Sequence, residues 1–479
     1  MVLLALLTAA MADAKPPSWP RFSWDTVPVF YHSCNFTGPY TDAGVKIMAK
    51  FPMVTIEKGQ GVTLGSGPGN YAEDKIVDTL RRIKAIDDNI STIFYYNSIL
   101  DWPFYKLHAD FVKHPDWWLK GGEGDVCRIG GDGSFPNHTN MLVFDFAQKA
   151  VRDFWASECV NMTQTGFVDG CFSDRSPSND HDMSAPCGAG HDFAAGHVTV
   201  LQDLQRQLGN GVLIANHAYN LSGVNAVQIE GFKADEASIR TLQQCVANGK
   251  ITEAHAGYGE DGTEDNHCVN GIENSLAAFL IGAGSRSYYT CSRGWKIQED
   301  PVEKAWHPEY DKPLGAPVAD GVKGADGIWR RSFKSAKGET KVVFDPKSKN
   351  PGSIWWAGEP APPPPPPPPP PQPPASCSAP STFHNHTGIA NDDLCWKTAS
   401  GCPQTTTAKA CCELCAADPQ CKAFCWYSEP DSTQLAFTAA KGTADNAVVA
   451  GTPCHLHSSW DGHWTKPGAA RISGMLRPQ

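Results

Sequence analysis

TGFVDGCFSDRS, residues 165–176, reads as a short buried strand that runs into a polar loop. Phe167, Val168 and Phe172 are apolar, Gly166 and Gly170 punctuate the run, and the loop begins near Asp174. Two carboxylates five residues apart, Asp169 and Asp174, lie within it. Side chains alternate along a strand, so an odd spacing places these two on opposite faces. Asp169 is then a mid-strand group that needs local hydrogen-bond partners. Asp174 falls at the carboxyl end, where parallel α/β architectures keep their chemistry. The plainer reading, in which both only cap or end a turn, fits Asp169 better than Asp174.

Working outward, seven further apolar runs read as strands: 27–33 (VPVFYHS), 53–59 (MVTIEKG), 91–98 (STIFYYNS), 211–218 (GVLIANHA), 226–232 (AVQIEGF), 251–258 (ITEAHAGY) and 285–291 (SRSYYTC). Helical periodicity fills 71–87, 146–160, 234–249 and 268–284 between them. Eight strands with intervening helices predict an α/β fold, a (β/α)8 TIM barrel. MLVFDF (141–146) is a further candidate, read as a loop or short strand leading into the helix before the central strand. A doubly wound open sheet is the alternative, but no G-x-G-x-x-G loop opens a helix, and GSGPGN (65–70) reads as an ordinary βα loop. Polar residues recur at the strand ends: Glu57, Asn97, Asp174, Asn216 with His217, Glu230, and Glu253 with His255. In a barrel such positions converge on one mouth.

Of the 479 residues, 41% are hydrophobic and 10% aromatic, with 15 Trp, which describes a globular protein with a large core. A net charge of −11 and a pI near 5.8 argue against nucleic-acid binding, which shows a basic face. The first 14 residues, MVLLALLTAAMADA, pair an apolar run with a small-x-small cleavage pattern, although the basic start of a leader is missing. No later segment approaches a membrane span. Seventeen cysteines and six N-x-S/T sequons, at Asn35, Asn89, Asn137, Asn161, Asn220 and Asn385, point to an oxidising, secreted setting.

Segments 307–318 and 327–346 look like a closing set of short antiparallel strands. PAPPPPPPPPPPQPP (360–374) reads as a polyproline II spacer. At ~3.1 Å per residue it would hold two domains roughly 45 Å apart. Residues 377–479 carry nine cysteines, against eight before the spacer, and the odd number leaves one thiol unpaired or in an intermolecular bridge. The expected organisation is a signal peptide at 1–14, the barrel with its short C-terminal β segment at 15–358, a linker at 359–376 and a small disulfide-rich module at 377–479.

GFVDGCFSD (166–174) is similar to the G-x-D-G-x-x-x-D pattern of several TIM-barrel glycoside hydrolases, and MLVFDFAQKAVRDFWASEC (141–159) resembles the segment that leads into it. With YYNS (95–98), HPDWWLKG (114–121) and PLGAPV, GIWRRSF and KVVFDP near the end, residues 22–346 resemble the hypothetical glycoside hydrolase family labelled 15-like. In related retaining α-glycosidase barrels the second Asp of D-x-x-x-x-D is the nucleophile, which the resemblance carries to Asp174. The acid two strands later corresponds to Glu230, where those families have Asp. The tail, with ACCELCAADPQCKAFCWY (410–427), PCHLHSS and GAARISG, resembles a PAN/apple domain of α+β type, which implies a glycan or cell-wall protein ligand. Cys425 replaces a common Thr of that motif.

Cleaving a glycosidic bond takes a proton for the leaving oxygen and a negative charge facing the developing oxocarbenium ion, which two carboxyl groups supply. Glu230 is flanked by apolar Ile229 and Phe232, a setting suited to the acid, and Arg175 follows Asp174. Substrate contacts are expected from Glu57, Asn97, Asp169, Asn216, His217, Glu253 and Tyr258, with Trp102, Phe104, Trp117 and Trp118 as candidate stacking rings. No cofactor or metal is implied. The leading expectation is a secreted hydrolase of an extracellular poly- or oligosaccharide with an appended binding module. A non-catalytic glycan-binding cell-wall or matrix glycoprotein is the alternative. A metal-dependent hydrolase using His181, Asp182, His191 and His197 is the weakest, because these lie in a Ser/Gly/Pro-rich stretch without H-E-x-x-H.

Overall fold

All eight expected strands form one parallel sheet, ordered as in the chain: β1 (Tyr31–Ser33), β2 (Met53–Ile56), β3 (Ser91–Asn97), β4 (Gly170–Asp174), β5 (Val212–Asn216), β6 (Ala226–Phe232), β7 (Ile251–Ala256) and β8 (Ser287–Cys291). The structure is a computed structural model that describes residues 19–121, 124–130, 140–177, 186–188, 191–257, 268, 271–359 and five strands between 384 and 475. The expected leader, the polyproline run, Asn137, Tyr258, His181, Asp182 and most of the cysteine-rich tail lie outside the described residues. β8 returns to β1 through a parallel bridge between Val29 and Tyr289, where Phe30 N–H donates to the Tyr289 carbonyl at 3.1 Å. The sheet is a nearly closed barrel.

Period-two alternation sorts the strand residues. Phe30, Met53, Ile93, Phe172, Ile214, Ala226, Ile251 and Tyr288 point inward and pack as one cluster. Their neighbours, among them Val54, Phe94, Cys171, Leu213, Val227 and Tyr289, face outward into the larger core beneath the helices. Among the described residues, the strands are flanked by α1 (Asp42–Met48), α2 (Ala72–Lys84), α3 (Lys149–Thr163), α4 (His191–Leu208), α5 (Glu236–Ala247) and α6 (Glu273–Gly282), with a further short helix, Lys106–Phe111, in the long connection after β3. Thr41 caps α1 by accepting from Gly44 N–H at 3.0 Å, and Asp235 caps α5 from Ser238 N–H at 2.7 Å. Helix α4 occupies sequence expected to be loop. It starts just past the Gly-rich segment, and its apolar stripe of Val200, Leu201, Leu204 and Leu208 is buried. MLVFDF supplies a short strand, Met141–Val143, that pairs with Leu100–Asp101 and Arg128–Ile129 in the long connection after β3.

Helix α6 is apolar on every side, and every residue from Ser275 to Gly282 is buried. The reason lies in the C-terminal antiparallel strands Trp329–Ser335, Gly338–Phe344 and Gly352–Trp355, which cover its outer face. The buried Arg331 guanidinium donates to the carbonyls of Leu280 (2.8 Å) and Ala283, satisfying groups that the end of α6 leaves unpaired. Disulfides join Cys127 to Cys187, Cys159 to Cys171 and Cys268 to Cys291, whereas Cys34 and Cys245 are buried thiols. Residues 362–479 form a second compact unit, whose described strands make an antiparallel sheet centred on Ala423–Tyr427 and Arg471–Met475.

Among the sequons, Asn35 is buried. Its amide donates to the Pro39 carbonyl at 3.1 Å and accepts from Thr37 and Gln298, so the folded chain offers no glycan acceptor there. Asn89, Asn161 and Asn220 are exposed. Among the described residues no helix is long and apolar enough to cross a membrane.

Candidate active site

The carboxyl ends of β3 to β6 bring four polar side chains together. Asp174, the last residue of β4, lies beside Asn97 in register, and both face into the barrel mouth. Its Oδ2 accepts from the Tyr95 hydroxyl and from Asn97 Nδ2 at 3.0 Å. Its Oδ1 accepts from Arg175 N–H at 2.8 Å and from Asn216 Nδ2 at 3.1 Å. The same Asn216 nitrogen donates to Glu230 Oε2 at 2.7 Å. One amide nitrogen therefore ties two carboxyl groups from strands β4 and β6, and their nearest oxygens lie within about 6 Å of each other.

Local backbone geometry aims these groups. Arg175 and His217, the residues that follow β4 and β5, hold left-handed φ values of 54° and 59°, unusual for non-glycine residues. His217 thereby reaches Glu230, its Nε2 3.4 Å from Oε2, and its Nδ1 meets the Tyr219 hydroxyl at 2.9 Å. After Glu230 the ladder with β7 slips by one residue. Gly231 is the extra residue, with φ 68°, and this bulge turns the end of β6 at the site. Ser98 clamps the far side of β4, its hydroxyl 2.8 Å from the Asp174 carbonyl and 2.8 Å from His197 Nε2.

Burial works against a charge on Asp174, but Lys58, the Tyr95 hydroxyl, Arg175 and Asn216 together outweigh it and hold the carboxyl below its ordinary range. Lys58 was not singled out in the sequence. It pairs with Glu57 at 2.9 Å, both side chains only 5% exposed, and its ammonium lies 4.6 Å over the Tyr95 ring. Glu57 thus meets Lys58 and, at 3.4 Å, His32. Trp295, from the loop after β8, packs against the His32 and His255 rings and walls the opposite side of the mouth.

Three expectations need correction. Asp169 sits at the amino-terminal end of β4, at the base of the barrel, so it cannot meet a ligand at the mouth. There it bonds Lys84 Nζ (2.5 Å), Thr92 N–H (2.9 Å) and the Thr92 hydroxyl (3.1 Å). Glu253 faces inward but lies beneath the mouth, 1% exposed and bonded to Gln228 at 2.9 Å. Burial pushes its carboxyl up to about 8, which favours the neutral form of this floor group. Glu230 is not walled by its sequence neighbours, because Ile229 faces the outer core while Glu230 meets Asn216 and His217. Of the candidate stacking rings, Trp102 and Phe104 are buried against each other. His197 is buried on α4 against Ser98, and among the described residues no group of three or more His, Cys, Asp or Glu is placed to hold a metal.

Residues 84–337, more than half of the chain, match the family described as Hypothetical glycosyl hydrolase family 15. The chain belongs to this family. It is a glycoside hydrolase, and its substrate is a saccharide. Among solved structures, this hydrolase is similar to the glycoside hydrolase domain of a PelA variant from Pseudomonas aeruginosa, at 13% identity and TM-score 0.35 over 57% of this chain and 98% of that one. It is also similar to an α-galactosidase from Thermus thermophilus, at 14% identity and TM-score 0.40 over 65% and 66% of the two chains. An α-amylase from Lactobacillus plantarum gives 11% identity and TM-score 0.42 over 67% and 88%. No curated protein matches the hydrolase in sequence.

Proposed function

We propose that this glycoside hydrolase cleaves an extracellular poly- or oligosaccharide by a two-carboxylate, retaining mechanism, with Asp174 as nucleophile and Glu230 as acid and base. The observation that carries this is the shared Asn216 amide, 3.1 Å from Asp174 and 2.7 Å from Glu230. Retaining enzymes keep their carboxyl groups about 5–5.5 Å apart, whereas inverting enzymes leave about 6.5–9.5 Å for a water. Asp174 Oδ1 attacks the anomeric carbon while Glu230 protonates the departing glycosidic oxygen, giving a glycosyl ester. Glu230, now ionised, takes a proton from water as that water attacks the same carbon, and Asp174 is released. Asn216 spans both groups, so it follows the negative charge from one carboxyl to the other. Substrate contact falls to Asn216, His217 and Trp295 around the mouth, whereas Asn97 is fully buried, its amide spent on Asp174, Tyr95 and the Ile99 and Leu100 N–H groups.

Secretion is the compartment that fits the three disulfides among the described residues and the exposed sequons at Asn89, Asn161 and Asn220. For the tail, the PAN/apple resemblance and the polyproline run support a tethered glycan- or cell-wall-binding module, which raises the local concentration of the barrel at a polymer surface. Residues 15–358 alone should then turn over small soluble glycosides normally and lose efficiency on insoluble polymer.

The test is a panel of aryl glycosides and polysaccharides, with the first-formed anomer followed by proton NMR on whichever substrate turns over. Retention is expected. Inversion would remove Asp174 from the nucleophile role, and no turnover of any poly- or oligosaccharide in the panel would overturn the proposed substrate class.

A further inference from the structure

Asp174 carries its charge in a nearly closed setting, and every group that touches it directly is a neutral donor: the Tyr95 hydroxyl, the Asn97 and Asn216 amides and the Arg175 backbone N–H. Among the described residues, charged groups reach it from three other places. Lys58 stands at the end of β2, the Arg175 side chain turns off the end of β4, and Glu230 faces it from β6 with His217 behind. Of these cations Lys58 is the buried one, 5% exposed, and it acts on Asp174 more strongly than Arg175 does. Its path to the carboxyl runs partly through a ring. The ammonium sits 4.6 Å above Tyr95, whose hydroxyl donates to Asp174 Oδ2. A cation over a phenol ring draws electron density from it and makes the hydroxyl a stronger donor.

Lys58 also has a second carboxylate, Glu57, at 2.9 Å, backed by His32 at 3.4 Å. That arrangement suits a nucleophile whose charge comes and goes. When Asp174 becomes an ester it is neutral, and a buried cation that loses a carboxylate is costly to keep charged. Glu57 keeps Lys58 paired through both halves of the cycle.

Resting on the reading of Asp174 as nucleophile, we propose that Lys58 is a positioning residue that keeps the Asp174 carboxylate ionised, with Glu57 as its permanent counter-ion through the reaction cycle. The full-length protein labelled with ¹³C at the aspartate carboxyls gives a direct readout, the Asp174 signal being identified by its absence in Asp174→Asn. In Lys58→Met the titration midpoint of Asp174 should rise by about one unit or more, and the acid limb of kcat/KM should move with it. Lys58→Arg, which keeps the charge, should restore both toward the native position. Should Lys58→Met fail to fold because the Glu57 charge has lost its ammonium, the double variant Glu57→Gln with Lys58→Met removes both charges and should still show a rise, smaller because the opposing Glu57 charge is gone as well. A titration in Lys58→Met or the double variant that superimposes on the native one overturns the proposal, and so does an equal shift in Lys58→Arg. Undiminished turnover by Asp174→Asn overturns instead the nucleophile reading on which it rests, and the two failures are thereby told apart.

Discussion

Asp169 and Asp174 flank the same short strand, carry the same carboxyl group and meet opposite surroundings. At the base, Asp169 is answered by one ammonium, Lys84 at 2.5 Å, and by Thr92. At the mouth, Asp174 is answered by neutral donors, and a second carboxyl shares one of them. A direct ion pair at the end of a barrel strand fixes two elements together, here β4 and the last residue of α2. A carboxylate held by neutral donors keeps its charge available for chemistry. On the proposed mechanism, the two ends differ as a group used for stability differs from one used for reaction.

The sharpest separation should come from conservative amides. Asp174→Asn is expected to lower kcat by about 10⁴-fold or more on an unactivated substrate while the protein stays folded, and Glu230→Gln should approach that loss. Asp169→Asn should do the reverse. It leaves the Lys84 ammonium buried without its partner, at about 3–5 kcal/mol, while activity per folded molecule is retained. Denaturant unfolding beside steady-state kinetics reads both. A loss of kcat in folded Asp169→Asn would erase the distinction.

A smaller effect concerns pH and groups away from both ends. Burial raises Glu73 to about 7 and Glu158 and Glu253 to about 8, from 4.5. The folded state therefore holds protons that the unfolded chain releases above 4.5, and stability falls as pH rises through 7 and 8. Burial lowers His197 and His255 from 6.5 to about 3. The unfolded chain gains protons there below 6.5, so stability also falls as pH drops toward 3. Thermal unfolding should be highest between the two reference values of 4.5 and 6.5 and lower by about 5 °C or more at pH 8.5. A Tm that climbs steadily from pH 5 to 8.5 would contradict these assignments.

Much of this was readable in the chain because buried parallel strands are nearly continuous apolar runs, and period two sorts their faces. That logic separated Asp169 from Asp174 and placed Asn97, Asn216 and Glu230 at strand ends. It gives a face but not a depth, which is why Glu253 was expected at the mouth and lies below it. Lys58 was missed because a lysine beside a glutamate reads as a solvated pair until burial is known. Tyr95 shares the face of Asn97 by alternation and was within reach of the same reasoning. Trp295 was not, since its neighbour His32 lies at the other end of the barrel sequence. Helix α4 was hidden by the Gly-rich stretch before it.

The central claim is that Asp174, and not its partner at the base, bonds to the sugar. Glu230→Gln with an aryl glycoside bearing a good leaving group allows the first step and slows the second, because the leaving group needs no acid but the water needs a base. Acid quench, digestion and tandem mass spectrometry of the peptide spanning 165–176 then locate any glycosyl adduct on a segment that contains both aspartates. The account predicts a single hexosyl-type mass increment on Asp174. An adduct on another residue, or none while turnover proceeds, would contradict it.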